Sequence, residues 1–417
     1  MSWLPGVPIM PPYSDTASNH VCIVGAGPAG VILSILLARK NIPVTLLEAQ
    51  ADFNREFRGD TLHASSLDIL DQMGYADSVL NLCHAKIEKF QLTSVANRIT
   101  MADFSLLKTS FPYVALIPQE KFLTYLIAEA SKLPAFHLIM NAKVHDLIMK
   151  KDKICGVTYM KDGVMHEVPA SLTIGADGRG SRVREKANLK LIKTMPPMDI
   201  IWFKLPKDYE PNTSNATGGR FGAGAMLAML DRNHEWQLGF VILKGSYKAL
   251  RERGMQYFHD ELLKLTPELK ASLQHLRDWS QCSILSVVTG RVDRWYRPGL
   301  LLIGDAAHVM SPVGGIGINY AIHDAVAAAN ILTKPLLSGD IKETDLAAVQ
   351  KRRNLPIRFI QAMQGIMQRQ IIRNTLQSDQ PFNPPVLFRF LSRFTAFQRT
   401  MAYLLAYGLQ PESLQAH

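Results

Sequence analysis

A glycine-rich turn near the start of the chain restricts its fold more than any other feature. Residues 21–30 have the sequence VCIVGAGPAG, in which an apolar, β-branched run leads into a G-x-G-x-x-G turn. A second apolar run, residues 44–47, follows after a helix-length gap and ends at Glu48. This spacing predicts a strand, a tight turn, a helix and a parallel strand, the β-α-β unit that binds an adenine dinucleotide.

Each residue type in this turn has a mechanical reason. Gly25 permits the tight turn, Gly27 lets the backbone approach a pyrophosphate, and Gly30 lets helix and strand pack closely. The pyrophosphate would lie at the helix N-terminus, where free N–H groups and the helix dipole favour an anion. Glu48 would accept hydrogen bonds from a ribose. The motif alone leaves the identity of the dinucleotide open.

The length, the apolar runs and the cysteine spacing of the chain indicate a globular protein whose cysteines are reduced. The chain has 417 residues, more than one ordinary domain, and no apolar run reaches the roughly 18 residues of a membrane span. Residues 1–19 are rich in Pro and Ser and predict a disordered tail rather than a signal peptide. The cysteines (Cys22, Cys83, Cys155 and Cys282) are far apart, which predicts a cytoplasmic protein without a cysteine metal site.

The net charge of +10 is concentrated near the end of the chain. Between Lys351 and Tyr403 there are nine Lys or Arg and one acid, Asp379, which is eight of the ten excess charges. A solvated helical face explains this most simply, but attraction of an anionic cofactor or substrate, or peripheral contact with an anionic membrane, stays open. No nucleic-acid-binding motif accompanies the charge, so no nucleic-acid partner is predicted.

Two further motifs follow predicted strands. Residues 175–184, GADGRGSRVR, come after an apolar strand, and residues 304–319, GDAAHVMSPVGGIGIN, come after another. With these three elements in this order, the chain closely resembles the flavoprotein aromatic hydroxylases, the family of para-hydroxybenzoate hydroxylase, over about residues 20–345.

The resemblance implies an α/β fold with two interleaved domains. A Rossmann-like FAD-binding domain would comprise residues 20–185 and 286–345. A mostly antiparallel β-sheet substrate domain would comprise residues 186–285, with strands from about 83–118. Residues 346–417 would form a C-terminal helical segment, and the protein would be a monomer or a homodimer.

The second motif has a functional and a structural interpretation. The resemblance implies that Asp177 and Gly178 contact the pyrophosphate region of FAD and take part in nicotinamide-cofactor binding. Ser181 and Arg184 occupy the usual Ser and Arg positions of this motif. The residues alone equally fit a capped turn in which Asp177 accepts hydrogen bonds from backbone N–H groups.

The third motif is expected to surround the flavin. The resemblance implies that Asp305 binds the ribityl hydroxyls, and Pro312 shapes the following turn. The glycines of residues 314–317 free backbone N–H groups before a helix, an arrangement suited to stabilising negative charge on reduced flavin. Ile316 stands where the family often has Gln, so contacts at the ring edge are expected to differ.

Arg58 and Gln119 match positions that contact FAD in the family, although each is also explained as an ordinary exposed polar residue. No catalytic side chain is required, and His308 and His323 are interpreted as structural. The flavin-ring environment is expected at Pro312, Gly315 and Gly317. The full set of predicted cofactor-binding residues is Gly25, Gly27, Ala29, Gly30, Glu48, Arg58, Gln119, Asp177, Gly178, Asp305, Pro312, Gly315, Gly317, Ile318 and Asn319.

The predicted reaction also comes from the resemblance. Residues 222–224, GAG, lack a third glycine, so the sequence contains no second dinucleotide motif and NAD(P)H is expected to bind transiently. NAD(P)H would reduce the FAD, and dioxygen would add to give a flavin C4a-hydroperoxide. An oxygen atom would then be transferred to an aromatic, phenolic or polycyclic small molecule, with water excluded from the site.

Several alternatives stay open. The aromatic and Met side chains of residues 202–240 either line an apolar substrate pocket or form a sheet core; they are Trp202, Phe203, Phe221, Met226, Met229, Trp236 and Phe240. A flavin-dependent dehydrogenase or reductase of a lipid-like or quinone-type substrate is the main alternative function. A flavin-dependent halogenase is disfavoured because its Trp-x-Trp-x-Ile-Pro element is missing, and a non-catalytic flavin-binding protein is the last alternative.

Overall fold

The computed structural model describes residues 19–53, 60–82, 85–94, 98–207, 217–232, 234–378, 380 and 386–415. Arg58 and residues 1–18 of the expected tail lie outside the described residues. The described strands are β1 (Val21–Val24), β2 (Val44–Leu47), β3 (Thr61–Leu62), β4 (Ala85–Ile87), β5 (Lys89–Ser94), β6 (Arg98–Asp103), β7 (Val114–Leu116), β8 (Phe136–Ile139), β9 (Lys143–Lys150), β10 (Lys153–Lys161), β11 (Val164–Pro169), β12 (Leu172–Gly175), β13 (Leu191–Thr194), β14 (Met198–Pro206), β15 (Gly218–Phe221), β16 (Met226–Asp231), β17 (Glu235–Leu243), β18 (Ser283–Ser286), β19 (Thr289–Val292), β20 (Tyr296–Arg297), β21 (Leu300–Leu302) and β22 (His308–Val309). The described helices are α1 (Pro28–Ala38), α2 (Ala64–Gln72), α3 (Ala76–Leu80), α4 (Gln119–Ala130), α5 (Arg182–Lys186), α6 (Tyr247–Glu252), α7 (Gly254–Leu265), α8 (Lys270–Leu273), α9 (Gly317–Ser338), α10 (Glu343–Met367), α11 (Arg373–Leu376), α12 (Val386–Leu391) and α13 (Thr395–Ala406).

A six-stranded sheet forms the first layer, in the order β20-β21-β12-β1-β2-β8. Its neighbours run parallel except β20, which pairs antiparallel with β21. Strands β1, β2, β12 and β21 are fully buried, as expected for near-continuous apolar runs covered on both faces. The carboxyl ends of β1, β12 and β21 therefore meet at one edge, and each of the three motifs follows one of these ends. The predicted Rossmann-like α/β fold is confirmed.

The first helix begins and ends as its sequence predicts. Pro28 is its first residue, where the missing N–H costs little. Asn41, which follows its C-terminus, has a φ of +57°, the left-handed conformation that Asn tolerates better than most residues. Helix α1 is buried on nearly all sides, because it packs between the sheet and helices α4 and α9.

A seven-stranded sheet forms the second layer, in the order β18-β14-β17-β16-β15-β5-β6. Its pairs are antiparallel except β5 with β15. Side chains alternate between its two faces: one face packs on helices α7 and α8 in a core of its own, and the other face is turned toward the motifs. Strands β5 and β6 belong to this sheet although they precede β12 in the chain, so the two layers are interleaved.

The C-terminal segment is helical, as predicted. Helix α10 packs on α9, and α13 packs on β6. Ser65 Oγ donates a hydrogen bond of 2.6 Å to the Ala406 carbonyl, and His63 Nδ1 lies 2.8 Å from the Leu405 carbonyl oxygen. Internal packing therefore holds the end of α13. Among the helices within the described ranges, none has the length and apolar character needed to cross a membrane.

Candidate active site

One large cavity connects the three motifs with the seven-stranded sheet. It encloses about 1130 Å³, which exceeds the roughly 300–1000 Å³ of a pocket for one small ligand. Its walls include residues from all three motifs and the inward face of β14, β16 and β17. A space of this size and lining accommodates a dinucleotide together with a second, apolar molecule.

The first motif forms a crowded turn at one end of the cavity. Gly25 has a φ of +102°, and a Cβ there would lie 2.5 Å from the Ala176 carbonyl oxygen. A Cβ at Gly30 would overlap the Gly25 carbonyl oxygen, so Gly30 serves close packing and is not part of the cavity lining. Gly25, Gly27 and Ala29 line the cavity.

Glu48 lies beside this turn, where a ribose was predicted. Its side chain is 4% exposed and lines the cavity. One carboxylate oxygen accepts a 2.9 Å hydrogen bond from the Ala26 N–H, and the other accepts one of 3.1 Å from the Gln50 N–H. These bonds hold the carboxylate against the glycine turn. Each carboxylate oxygen can accept more than one hydrogen bond, so this position fits a ribose-binding acid.

The second motif has the capped-turn geometry. Asp177 accepts hydrogen bonds from Ser181 Oγ (2.5 Å), the Arg182 N–H (2.7 Å) and the Val183 N–H (3.0 Å). Burial raises the pKa of this carboxyl group, and these hydrogen bonds oppose the rise. Asp177 and Gly178 both line the cavity, but the carboxylate is engaged with the first turn of α5. The hydrogen bonds of Asp177 therefore support the interpretation of this motif as a capped turn.

Arg184 connects the second motif to the third. Its guanidinium donates to the Ala306 carbonyl (2.9 Å) and to the Arg179 carbonyl (2.8 Å). Asp305, one residue before Ala306, is half-buried and lines the cavity. Arg184 thus fixes the turn that carries Asp305 relative to the turn that carries Asp177.

The glycine run of the third motif lies against β3. Gly315 has a φ of +63°, and a Cβ there would overlap Thr61 Oγ1, which donates a 2.6 Å hydrogen bond to the Gly315 carbonyl. Pro312, Gly315, Gly317 and Ile318 line the cavity, so the N-terminus of the 22-residue helix α9 faces it. Helix N-termini favour negative charge, and this one is suited to the flavin ring.

Asn319 and Gln119 differ in their placement. Asn319, predicted among the cofactor-binding residues, lies outside the cavity lining. Its side chain accepts a hydrogen bond from the His63 N–H (2.8 Å) and donates one to the Thr61 carbonyl (2.9 Å), so it holds residues 61–63 beside the glycine run.

Gln119 is 7% exposed and lines the cavity, and its backbone N–H donates a hydrogen bond to Asp60. It is not the exposed polar residue of the alternative interpretation.

A buried ion network supports the third motif, and the sequence analysis did not identify it. Asp324 accepts from the Gly304 N–H (2.9 Å) and from Arg353 Nε (2.9 Å), and lies 2.5 Å from His308 Nε2. Burial alone would raise the pKa of Asp324, but His308 and Arg353 lower it to about 2. Asp324 is the only acid in residues 317–332, which contain no Lys or Arg, and this was the available signal in the sequence.

The hydrogen bonds of His308 and His323 agree with the structural role expected for both residues. His308 is paired with Asp324, and neither His308 nor His323 lines the cavity. His323 Nδ1 accepts from the Glu412 N–H (3.1 Å), which leaves the proton on Nε2, 3.0 Å from Ser65 Oγ. Burial and the nearby Arg353 lower the pKa of His323 to about 3, so the ring is neutral at physiological pH.

We expect stability to fall as the pH is lowered from about 6.5 to about 4. Burial lowers the pKa of His63 to about 4, and that of His323 is about 3. In this range the unfolded chain binds protons at both residues and the folded protein does not, so acid favours unfolding. His63 and His323 together should contribute about two protons to the pH dependence of the unfolding free energy, in addition to His20 and His137, whose pKa values burial also lowers. Urea unfolding at several pH values should therefore give a slope that is smaller by about one proton for His323→Gln than for the wild type. Equal slopes for the variant and the wild type would contradict this.

The aromatic and Met residues of the substrate region divide between the two faces of the seven-stranded sheet. Trp202, Phe221 and Met226 line the cavity. The others pack in the core beneath helices α7 and α8; they are Phe203, Met229, Trp236 and Phe240. Both interpretations of this region therefore hold, each for one face of the sheet.

Comparisons with known proteins agree with this geometry. A family model described as an FAD binding domain matches residues 18–361. The chain is 32% identical over 404 residues to the 6-methylpretetramide 4-monooxygenase of Streptomyces rimosus, across 96% of this chain and 94% of that protein. This chain is also 24% identical over 331 residues to digeranylgeranylglycerophospholipid reductase 2 of Methanococcoides burtonii, across 77% of this chain and 76% of that protein.

Among solved structures, p-nitrophenol 4-monooxygenase from Pseudomonas putida has the same fold. It matches with a TM-score of 0.74 at 19% sequence identity, across 92% of this chain and 96% of that chain. The full-length similarity to a monooxygenase agrees with the three motifs that line the cavity. The chain belongs to the family of FAD-dependent aromatic hydroxylases and is a flavin-dependent monooxygenase.

Proposed function

We propose that this monooxygenase uses NAD(P)H and dioxygen to hydroxylate a polycyclic aromatic small molecule that carries phenolic groups. The observation that carries the proposal is the single cavity shared by the three motifs and the apolar face of the seven-stranded sheet. The name of the relative from Streptomyces rimosus, a 6-methylpretetramide monooxygenase, supports a polycyclic substrate.

The domain division expected from the sequence is part of this proposal. We infer that residues 20–185 and 286–345 hold FAD, that residues 186–285 with β5 and β6 cover the substrate, and that the C-terminal segment closes the cavity. Phe388 and Met401, from α12 and α13, are among the cavity-lining residues and support the last assignment.

The chain's own residues position the reactants and exclude water. When bound, FAD supplies hydride acceptance from NAD(P)H and activation of dioxygen. Gly25 and Gly27 admit the pyrophosphate, Glu48 binds the adenosine ribose, and Asp305 binds the ribityl chain. The N-terminus of α9 stabilises negative charge on the ring. The apolar sheet face keeps water from the reacting carbon and holds the aromatic ring in place.

Oxygen labelling tests the proposal and separates it from a reductase, the alternative that the archaeal relative favours. We expect the purified protein to be yellow and its NAD(P)H oxidation to rise severalfold when a polycyclic phenol is added. Under ¹⁸O₂ the product should gain one labelled oxygen atom, and under H₂¹⁸O it should gain none. A reduced or dehydrogenated product without the label would contradict hydroxylation and favour the reductase.

A further inference from the structure

A buried amide interrupts the apolar wall of the cavity. Gln237, on β17, is 4% exposed and lines the cavity. Side chains on this face alternate along the strand, so Gln237 and Val241 face the cavity while Leu238 packs on the opposite face. Leu230, directly opposite Gln237 on β16, is also part of the wall. The amide is thus flanked by the apolar Leu230 on one side, on a cavity wall that is mostly apolar and suited to an aromatic ring.

The backbone next to Gln237 is arranged to leave a flat surface. Gly239 is paired with Trp202 on β14, and a Cβ at Gly239 would lie 3.0 Å from the indole ring. The glycine therefore lets the indole lie against the strand instead of projecting away from it. A flat aromatic molecule can pack against this surface beside the Gln237 amide.

The hydrogen bonds of this region leave two side chains of the wall, Gln237 and Trp202, without a described partner. Thr217 Oγ1 accepts from the Asp231 N–H (3.2 Å), and Gln364 donates to the carbonyls of Ser311 (3.1 Å) and Val313 (2.8 Å). Within the described ranges, Trp202 Nε1 is buried without a partner. The Gln237 side chain likewise makes no hydrogen bond to another described residue. Polar groups inside a protein are almost always paired, so an amide that faces the cavity without a protein partner is available to a polar group of a ligand.

The charge of this wall indicates which kind of ligand group Gln237 can bind. Lys204, the neighbour of Gln237 on β14, is 2.9 Å from Glu235 and is paired with it. The amide itself is neutral and can both donate and accept a hydrogen bond. It therefore suits a neutral hydroxyl group better than a carboxylate or an ammonium group.

We propose that Gln237 hydrogen-bonds a phenolic hydroxyl of the aromatic substrate and orients its ring in the cavity. The assignment rests on the proposed function, since it needs an aromatic molecule beside the sheet. It makes Gln237 a positioning and specificity-determining residue, and it predicts discrimination between substrates that differ only in this oxygen.

Binding of two matched probes tests the assignment without turnover. The probes are 2-naphthol and 2-methylnaphthalene, which differ by a hydroxyl in place of a methyl group. The FAD-loaded protein is titrated with each probe in the absence of NAD(P)H, and binding is followed by the change in flavin absorbance. The wild type should prefer 2-naphthol, and Gln237→Leu should weaken 2-naphthol binding about tenfold with 2-methylnaphthalene binding unchanged.

Leu230→Ala is the matched control, because this side chain lies directly opposite on the same face. It should weaken both probes by the same factor, and both variants should keep FAD as the wild type does. Unchanged 2-naphthol binding by Gln237→Leu, or loss of FAD from this variant, would overturn the assignment while leaving the proposed function intact. If the wild type binds neither probe, both the proposed function and the assignment fail.

Discussion

Replacing Gly25 with alanine is expected to abolish stable FAD binding. The residue has a φ of +102°, a conformation that alanine adopts only with strain, and the added Cβ would lie 2.5 Å from the Ala176 carbonyl oxygen. That oxygen belongs to the backbone of the second motif, so relief of the overlap must separate two turns that line the cavity. We expect the dissociation constant for FAD to rise roughly 100-fold or more, measured by flavin fluorescence titration of the apoprotein.

Gly74→Ala is the control that separates the expected loss of FAD affinity from the effect of backbone strain alone. Gly74 has a φ of +77°, but a Cβ there has nothing within 4 Å, and the residue is not part of the cavity lining. This variant should lose some stability and keep wild-type FAD affinity. Retention of FAD by Gly25→Ala at wild-type affinity would show that the turn does not approach the cofactor as we infer.

Replacing Arg353 with methionine is expected to lower the free energy of unfolding by about 3–5 kcal/mol. The Arg353 side chain is 1% exposed, and its Nε lies 2.9 Å from Asp324, which is completely buried. Removal of the guanidinium leaves a buried carboxylate whose remaining hydrogen-bond partners, among the described residues, are His308 and the Gly304 N–H. Urea unfolding at pH 7.5, with FAD present at a fixed excess, measures the loss.

Arg352→Met provides the matched control one residue earlier on the same helix. The Arg352 side chain is 42% exposed, and its Nε lies 2.8 Å from the Glu412 carboxylate, which is itself 6% exposed. Water partly screens the Arg352 guanidinium, and Glu412 keeps Arg353 as a second partner at 3.3 Å when Arg352 is removed, so we expect a loss of about 1 kcal/mol. Losses of similar size for the two variants would contradict a special role for the buried pair.

The parts of the fold that can be predicted from the sequence are those determined by residues close together in the chain. The turn at Gly25, the strand before it and the helix after it depend on residues adjacent in the chain, so their pattern suffices. The same holds for the positions of Asp305 and Gly315, because each motif directly follows a buried strand. The meeting of the three motifs then follows from parallel strands that share one carboxyl edge.

The parts that the sequence left open depend on partners far along the chain. The role of Asp324 follows from Arg353, 29 positions later, and from the turn at Gly304. Likewise, the aromatic residues of 202–240 divided between two faces once the strand register was known, because a shift of one residue exchanges the faces. Hydrophobicity alone carries no information about which face meets the cavity.

The hydrogen bonds that close the C-terminal segment onto the first part of the chain affect how the protein matures. Ser65 is bonded to Ala406, 341 positions later, and the Glu412 N–H is bonded to His323. On a ribosome, the first β-α-β unit emerges long before these partners exist. Contacts of such long sequence separation form slowly, because a large loop must close first. Met401 and Leu405 of this segment line the cavity, so the cavity wall is complete only after these distant contacts have formed.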